Sequence, residues 1–318
     1  MLIIIEGPDC SRKSTLAGLL RQEIDRRTRD EYVTLLHAGP PTQHPLDEYV
    51  TPLLTYRPET SRHVICDRWH LGELVYPTVF GRSSQCDDAV FRYVELFLQS
   101  RGAYLVVVTP EVDELRECLE RRGDEPGELD RVESVRDGFI RVATRTTLPM
   151  TWLKDETLTV DVTWSIINDA SAAALGAHSL NNFTTYVGPR YPRRLLVGDV
   201  RKTGTDPDDL RPAFMPYPAT SGHYLMRALS DASADAVGVV NGCDVDDALQ
   251  VWLTLNQPQL VTLGRNAQRV TRAWLNHVRR DGQYPLPIEV PHPQWQRRFD
   301  HHNLANYRSL MMGLPRGT

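Results

Sequence analysis

The chain has 318 residues, five of them cysteine, and a formal net charge of −5. This length exceeds the usual size of one domain, and the ordinary apolar content allows a real core, so we expect two domains. The odd, scattered cysteines argue against a disulfide framework and favour a reducing cytoplasm, and no apolar run is long enough to cross a bilayer, so no membrane partner is expected.

Charge is divided unevenly along the chain. Residues 1–165 carry 20 Lys and Arg against 28 Asp and Glu, whereas the remainder carries 16 against 13. An acidic first part suits a small ligand that Mg²⁺ accompanies, and a basic second part can accept a nucleic-acid partner without requiring one.

The first half of the chain alternates short apolar runs with helical patterns. Residues 2–5 form an apolar, β-branched run that leads through a Gly-Pro turn into a helix beginning near Ser14. Two further runs, at 62–66 and 103–108, are also separated by helical stretches. This order predicts βαβ units, and hence a parallel sheet with helices on both faces.

Two highly charged helices are predicted next, over residues 111–122 and 129–147. The segment between them, 123–127, is rich in turn-forming residues. A turn between two charged helices suggests a mobile flap over a ligand site.

A second α/β domain is predicted to follow a connecting segment at 166–190. Its strands are expected at 194–197, 236–240, 260–263 and 288–290, with helices between them. The predicted domains are therefore residues 1–165 and 191–318, both of the α/β class.

The residues between the first strand and the first helix match a phosphate-binding loop. The segment from Gly7 to Ser14 reads G-x-x-x-x-G-K-[ST], except that Arg12 replaces the second glycine. In such a loop, backbone N–H groups at a helix N-terminus hold a phosphate, Lys13 reaches the β- and γ-phosphate oxygens, and the Ser14 hydroxyl binds Mg²⁺. With Thr15, these residues form the predicted site for ATP and Mg²⁺. The alternative is a tight strand-to-helix turn in which Lys and Ser are incidental.

The stretch from Ile5 to Thr15, together with Asp67-Arg68-Trp69 at the end of the second predicted strand, resembles thymidylate kinase. The resemblance implies a P-loop kinase in which Asp9 contacts the acceptor sugar, Arg68 holds the acceptor phosphate and Asp67 lies near the metal or the acceptor. Ligands of open α/β sheets bind at the carboxyl ends of the strands, which agrees with this placement. Taken alone, Asp67 and Arg68 could also form an ordinary surface ion pair.

Residues 114–139 resemble the lid helix and the following acidic helix of thymidylate kinases. The resemblance implies that lid arginines close over the transferring phosphoryl group and neutralise its developing charge. Arg121 and Arg122 are the catalytic candidates, in preference to Arg116. For any one of them, the alternative is a solvated helical face with i,i+4 charge pairs.

The acceptor side departs from the thymidylate kinase pattern. The region 46–62 is short and offers Tyr49, Tyr56 and Arg57 to hold a base. Base identity is therefore left open.

The run that follows Asp67-Arg68 resembles phage-type nucleotide kinases, which implies a host cytoplasm as the setting. Its Trp69, His70 and Tyr76 are substrate candidates, with Glu73 between them. Tyr76 is placed to stack on an acceptor base, although an aromatic residue at helical spacing is more often part of the core.

From about residue 194, the chain distantly resembles the uracil-DNA glycosylase superfamily. The ordered motifs are Leu196 to Asp199, Phe214 to Leu225, Asn241, Val261 to Ala267, and His292-Pro293-Gln294. The resemblance implies a three-layer α/β architecture in which Asp199 activates water, Phe214 stacks on a flipped base, Asn241 reads its edge and His292 polarises a carbonyl.

Two departures bear on the activity of this second domain. Asp199 is not followed by a proline-containing turn, and Gln294 replaces serine. We therefore predict recognition of a pyrimidine or a DNA strand without efficient cleavage, with a non-catalytic domain and a glycosylase both left open. Arg297 and Arg298 are interpreted either as phosphate contacts or as a solvated surface.

Three functional hypotheses follow. The first is ATP-dependent phosphoryl transfer to a free, thymidylate-like pyrimidine deoxynucleotide. The second is a DNA-modifying kinase that phosphorylates a hydroxymethylated pyrimidine presented by the second domain, and the third is a base-excision glycosylase with a degenerate kinase half. The acidic first part favours the first hypothesis, because a kinase that touches a DNA backbone should have a basic groove. The fused base-recognising fold favours the second, and DNA contact and a homodimer are both left open.

Overall fold

The computed structural model describes residues 1–28, 32–56, 62–123, 126–154, 158–177, 186–189, 191–198, 212–229, 237–241, 253, 256–278, 286–299 and 303–312. The contacts within the chain divide it into two compact units. Unit 1 comprises Met1–Cys86 and Arg101–His178, and unit 2 comprises Asp87–Ser100 and Ser179–Thr318.

The described part of unit 1 contains a five-stranded parallel sheet. Its strands are β1 (Leu2–Glu6), β2 (Tyr32–His37), β3 (Arg62–Asp67), β4 (Ala103–Val108) and β5 (Met150–Leu153). They are arranged in the order β2-β3-β1-β4-β5. The central strand β1 is buried at every residue, as expected for a parallel strand covered on both faces. Because Ile5 pairs with both Asp67 and Val106, the carboxyl ends of these three strands lie side by side.

Helices flank this sheet. They are α1 (Lys13–Arg27), α2 (Pro45–Tyr49), α3 (Gly72–Phe80), α5 (Val112–Arg122), α6 (Pro126–Leu129), α7 (Val132–Ala143) and α8 (Val160–Ala177), with a short 3₁₀ turn at Thr51–Leu53. Leu16 and Leu20 of α1 pack in one apolar cluster with Ile166 and Ala170 of α8 and with Ile3 of β1. This packing fixes the start of α1 directly beyond the end of β1.

Two strands of unit 1 are absent from the sequence-based prediction, namely β2 and β5. Both lie at the edges of the sheet. Most residues of β2 are exposed or half-buried, and only the last residue of β5 is buried. Neither strand has the continuous apolar run that marks a strand buried on both faces, and that run was the signal used for the other three.

The predicted helix at 129–147 is shorter in the structure and is preceded by a separate turn of helix. The chain forms α6 up to Leu129 and begins α7 at Val132, which ends at Ala143. The preceding helix α5 ends at Arg122 and is followed by Gly123, whose φ of 77° is the left-handed conformation common after a helix.

The described part of unit 2 contains a four-stranded parallel sheet in the order β7-β6-β8-β9. These strands are β6 (Arg194–Gly198), β7 (Val237–Asn241), β8 (Gln259–Leu263) and β9 (Ile288–Val290). The helices that the structure describes in this unit are α4 (Asp88–Ser100), α9 (Ser221–Ala228), α10 (Arg265–Val278), α11 (Pro293–Phe299) and α12 (Leu304–Met311). A mixed α/β organisation with parallel sheets and flanking helices is thus confirmed, while the glycosylase-like architecture of unit 2 stays a prediction.

Helix α4 belongs to unit 2 although its sequence lies within residues 1–165. The Tyr93 hydroxyl donates a hydrogen bond of 2.7 Å to the carbonyl of Ala213, and Asp87 Oδ2 lies 2.7 Å from His223 Nε2. At the other expected boundary, α8 continues through residue 165 because its apolar face packs on unit 1. The division by contacts therefore assigns α4 to unit 2 and places the later boundary between residues 178 and 179, inside the segment expected to connect the two domains.

Among the helices that the structure describes, none combines the length and the apolar character needed to span a bilayer.

Candidate active site

The loop after β1 has a conformation that requires glycine at its first position. Gly7 has a φ of 149°, and a Cβ atom added there would lie 2.1 Å from the backbone oxygen of Val108. Since backbone cannot move away as a flexible side chain can, any larger residue would separate β1 from β4 at this point. The close approach places the loop at the carboxyl edge of the sheet.

Arg12 adopts the left-handed conformation, with a φ of 66°, and caps the N-terminus of α1. A glycine would take this conformation with less strain, which explains the usual residue at this position. The Arg12 guanidinium turns to Glu114 Oε2, at 3.1 Å, and both side chains are exposed. The arginine thus adopts the backbone conformation expected of the loop, and its side chain points away from the buried part of it.

Lys13 is buried inside the loop, with 4% of its surface exposed. Its Nζ donates hydrogen bonds to the carbonyl of Pro8 and, at 3.3 Å, to Ser11 Oγ. Burial lowers the pKa of Lys13 to about 8, because desolvation disfavours the ammonium, and this outweighs the attraction of Asp9. These two hydrogen bonds hold the ammonium inside the loop that is predicted to bind phosphate.

Ser14 and Asp67 meet at the end of β3. The Ser14 hydroxyl donates a hydrogen bond of 2.6 Å to Asp67 Oδ2, and His37 Nδ1 lies 3.5 Å from the same oxygen. Among the described residues, the second carboxylate oxygen, Oδ1, is buried without a hydrogen-bond partner. A hydroxyl beside a buried carboxylate oxygen is the oxygen donor set that Mg²⁺ prefers, so these two residues fit the implied metal. Thr15 lies next to them, exposed on the first turn of α1.

Asp9 lies among the other predicted catalytic and substrate residues. Arg68 NH2 is 3.0 Å from Asp9 Oδ1, the Tyr76 hydroxyl donates to the same oxygen at 3.4 Å, and Arg122 NH2 is 4.0 Å from Oδ2. Arg121 instead donates to the carbonyl of Glu117 in its own helix, at 3.2 Å. Of the two predicted lid arginines, the structure brings only Arg122 to the loop.

Glu6 is a site residue that the sequence did not single out. It is fully buried, and its Oε1 accepts hydrogen bonds from the backbone N–H groups of Trp69, at 3.1 Å, and Leu71, at 2.8 Å. Burial raises the pKa of this carboxyl group. Trp69 and Leu71 follow Arg68, whose φ is 67°. By binding their backbone, Glu6 fixes the turn that directs the Arg68 side chain toward Asp9.

A cavity of about 190 Å³ opens beside the loop. Aromatic side chains form much of its wall, and charged groups stand among them: Tyr49, Trp69, Tyr76 and Phe139, with Asp9, Arg68, Glu73 and Arg82. The segment Ala38 to Pro40 completes one side. An aromatic cavity with a few polar groups, next to a phosphate loop, is suited to the base and sugar of one nucleotide.

Some of the predicted substrate residues line this cavity and others do not. Trp69 and Tyr76 line it, and so does Tyr49, whereas His70 and Tyr56 are buried and lie outside the described lining. Arg57 lies outside the described residues. Arg82 and Phe139 were not predicted as substrate residues, since each comes from a segment with no motif that points to a base.

In unit 2, three of the four predicted base-site residues lie close together. The rings of Phe214 and His292 are 6.2 Å apart, and a Cβ on Gly198 would lie 2.2 Å from the Phe214 ring and 3.4 Å from Asn241 Oδ1. The Gln294 N–H donates to His292 Nδ1 at 3.2 Å, so this ring nitrogen acts as an acceptor. The fourth residue, Asp199, lies outside the described residues.

The surface near this cluster carries further aromatic and basic groups. Trp295 is 52% exposed, Arg298 is exposed, and Arg297 donates a hydrogen bond to the carbonyl of Ala219. Arg297 is therefore engaged within unit 2, and Arg298 is the more accessible of the two predicted phosphate contacts.

Neither a protein-family model nor a curated protein sequence matches this chain. Among solved structures, the YorR protein of Bacillus subtilis, in complex with phosphorylated GDP, is 25% identical over 53% of this chain and 94% of that chain, with a TM-score of 0.43. Deoxyadenosine kinase from M. mycoides with bound dCTP is 14% identical over 53% of this chain and 97% of its own, with a TM-score of 0.34. A putative polyphosphate kinase 2 from Pseudomonas aeruginosa PA01 is 13% identical over 98% of this chain and 83% of its own, with a TM-score of 0.40.

Proposed function

We propose that unit 1 is an ATP-dependent phosphotransferase whose acceptor is a thymidylate-like pyrimidine deoxynucleotide. The observation that carries this proposal is the position of Asp9, which lies in the phosphate loop, lines the aromatic cavity and contacts Arg68. Asp9 thus lies at the boundary between the proposed site for the donor phosphates and the proposed site for the acceptor.

On the donor side, the backbone N–H groups at the start of α1 and the Lys13 ammonium would bind the phosphates of ATP. Lys13 is already desolvated, so its charge acts on the β- and γ-phosphate oxygens with little screening by water. Mg²⁺ held through Ser14 and Asp67 would neutralise further phosphate charge. These groups stabilise the charge that develops as the bond between the γ-phosphorus and the bridging oxygen breaks.

On the acceptor side, Arg68 would hold the phosphate of the acceptor nucleotide. An oxygen of that phosphate would attack the γ-phosphorus of ATP, which gives a nucleoside diphosphate and ADP. Asp9 and Tyr76 keep Arg68 oriented before the substrate arrives. Arg122 lies near enough to Asp9 to approach the transferring group from the lid. Positioning and charge neutralisation are the main contributions that phosphoryl transfer requires of a protein.

The second candidate is phosphorylation of a hydroxymethylated pyrimidine in DNA. The observation that favours it is the grouping of Phe214, His292 and Asn241 in unit 2, which is suited to stacking on a base and reading its edge. A cavity of about 190 Å³ admits a single nucleotide, so a duplex substrate would have to present a flipped base. The third hypothesis, a glycosylase with a degenerate kinase half, has less support because the buried Lys13 and the contact between Ser14 and Asp67 favour a site that would bind phosphate and metal.

An acceptor screen tests the proposal. The full chain would be given ATP labelled at the γ-phosphate, with deoxynucleoside monophosphates in one set of reactions and duplex DNA containing thymine or hydroxymethyluracil in another. We expect label in the diphosphate of a thymine or uracil nucleotide. Label in hydroxymethylated DNA alone would establish the second candidate, and no transfer to any acceptor would contradict both.

For unit 2 we propose recognition of a pyrimidine without efficient cleavage of its glycosidic bond. Binding of uracil-containing single-stranded DNA to the full chain should weaken in Phe214→Ala and in Asn241→Ala, because stacking and edge contacts are lost. Rapid release of uracil by the wild-type chain would contradict the absence of cleavage. Equal DNA binding by wild type and both variants would contradict the recognition.

A further inference from the structure

Two charged residues of the cavity wall, Glu73 and Arg82, have no part in the proposed transfer. Glu73 lies in the first turn of α3, is 9% exposed and lines the cavity beside Trp69 and Tyr76. Burying a carboxylate is costly unless its oxygens are bonded. Its Oε1 accepts a hydrogen bond of 2.7 Å from Ser84 Oγ, so the chain after α3 holds this carboxylate at the cavity wall.

A charge of opposite sign stands close to Glu73. Arg82 also lines the cavity. Burial raises the pKa of Glu73, and the hydrogen bond from Ser84 and then the charge of Arg82 partly offset this rise. A carboxylate only accepts hydrogen bonds and a guanidinium only donates them. Together they offer a ligand one acceptor and one donor along the same wall, set between aromatic rings that would hold a planar base.

The complementary ligand edge has an N–H group next to a carbonyl. Thymine and uracil have this lactam edge at N3–H and the adjacent carbonyl, and guanine has it at N1–H and its carbonyl. Cytosine and adenine present an unprotonated ring nitrogen at the same place, which a carboxylate repels. A base without this edge would leave the buried Glu73 carboxylate unpaired. Such a loss costs more binding free energy than a misfit of one methyl group in an apolar pocket, so this arrangement discriminates between bases.

We infer that Glu73 and Arg82 select the acceptor by the lactam edge of its base, with Glu73 accepting the N–H and Arg82 donating to the carbonyl. This inference rests on the proposed function, in which the cavity is the acceptor site. It assigns the choice of base to residues that are separate from Asp9, Arg68 and the phosphate loop.

Equilibrium binding tests the inference independently of phosphoryl transfer. Binding of dTMP, N3-methyl-dTMP and dCMP to the full chain would be followed by calorimetry. The wild type should prefer dTMP over N3-methyl-dTMP and over dCMP by about tenfold or more. In Glu73→Gln, whose amide can donate to the ring nitrogen of cytosine, the preference for dTMP over dCMP should fall by about tenfold.

Two further variants make the result interpretable. Thr78→Ala alters an exposed hydroxyl on the same helix, bonded to the carbonyl of Leu74, and should leave the base preference unchanged. Arg82→Gln changes an exposed residue and should reduce the preference for dTMP over dCMP even if Glu73→Gln does not fold, because the guanidinium only donates whereas the amide can also accept from the amino group of cytosine. Unchanged base preference in both Glu73→Gln and Arg82→Gln, or no binding of any nucleotide by the wild type, would overturn the inference. Altered preference without any phosphoryl transfer would uphold it and contradict the proposed function alone.

Discussion

The Ser14 hydroxyl donates a hydrogen bond of 2.6 Å to Asp67 Oδ2, and these residues are 53 positions apart in the chain. The bond joins the first turn of α1 to the end of β3, so it links the phosphate loop to the turn that carries Arg68. With the second oxygen of Asp67 buried and without a hydrogen bond among the described residues, the pair is suited to a cation that accompanies a nucleotide.

Removal of either oxygen should therefore weaken the use of Mg²⁺. We expect Ser14→Ala and Asp67→Asn each to raise the Mg²⁺ concentration needed for half-maximal phosphoryl transfer by about 10- to 100-fold, since a ligand or its orienting partner is lost. Ser14→Thr retains a hydroxyl and is the matched control. Equal Mg²⁺ dependence in Ser14→Ala and Ser14→Thr would contradict a metal role for this hydroxyl.

The buried Lys13 makes ATP binding depend on pH. Its pKa in the free protein is about 8, so the ammonium is charged below this pH and is lost as the pH rises through it. Bound phosphates favour the charged form, so ATP affinity should fall by about five- to tenfold between pH 7.5 and 9. Calorimetric titration with ATP across this range checks the prediction. In Lys13→Met the affinity should be weaker and nearly independent of pH, and parallel pH profiles for the two proteins would count against Lys13 as the titrating group.

Gly7→Ala should destabilise unit 1 and impair ATP binding together. The added Cβ would clash with the Val108 carbonyl and demand a φ that side chains resist, at a cost of about 1 to 3 kcal/mol. Gly18→Ala, in the middle of α1 with no atom within 4 Å of the added Cβ, should instead stabilise by about 0.5 to 1 kcal/mol. Denaturant unfolding of both variants measures these changes. A Gly7→Ala protein as stable as Gly18→Ala would show that the loop does not have the conformation described.

Helix α4 should be required for the stability of unit 2. Tyr93→Phe removes the bond to the carbonyl of Ala213, and both residues are buried, so a loss of about 1 to 3 kcal/mol is expected. Tyr32→Phe, at a residue 78% exposed, should change stability by less than about 0.5 kcal/mol. A fragment beginning at residue 179 lacks α4 and should unfold at a lower denaturant concentration than unit 2 in the full chain. An equally stable fragment would contradict this assignment of α4.

The sequence predicted the parts of the site that are local in the chain. The loop from Gly7 to Ser14 is a single segment whose spacing carries its chemistry, and Asp67-Arg68 follows a strand that is recognisable by its apolar run. Glu6 could not be assigned in this way, because its importance comes from contacts with the backbone of residues 69 and 71.

The wall of the cavity was less predictable for the same reason. Phe139 lies on α7 and Arg82 follows α3, and they become neighbours of Asp9 only when the helices pack on the sheet.

The assignment of helix α4 to unit 2 could not be predicted from the sequence either. Almost all of its residues are buried, the charged Arg92 and Glu95 among them, and a sequence pattern does not identify the surface that covers such a helix.

In the proposed function, the phosphate loop transfers a phosphoryl group from ATP to a nucleotide in the adjacent cavity. The most direct measurement is the rate of γ-phosphate transfer from ATP to dTMP by the wild type and by Lys13→Met, with thermal unfolding used to confirm that both are folded. We predict transfer by the wild type and a loss of about 100- to 1000-fold in kcat for the variant, since the charge opposite the developing negative charge is gone. Transfer at the wild-type rate by a folded Lys13→Met protein would contradict the claim.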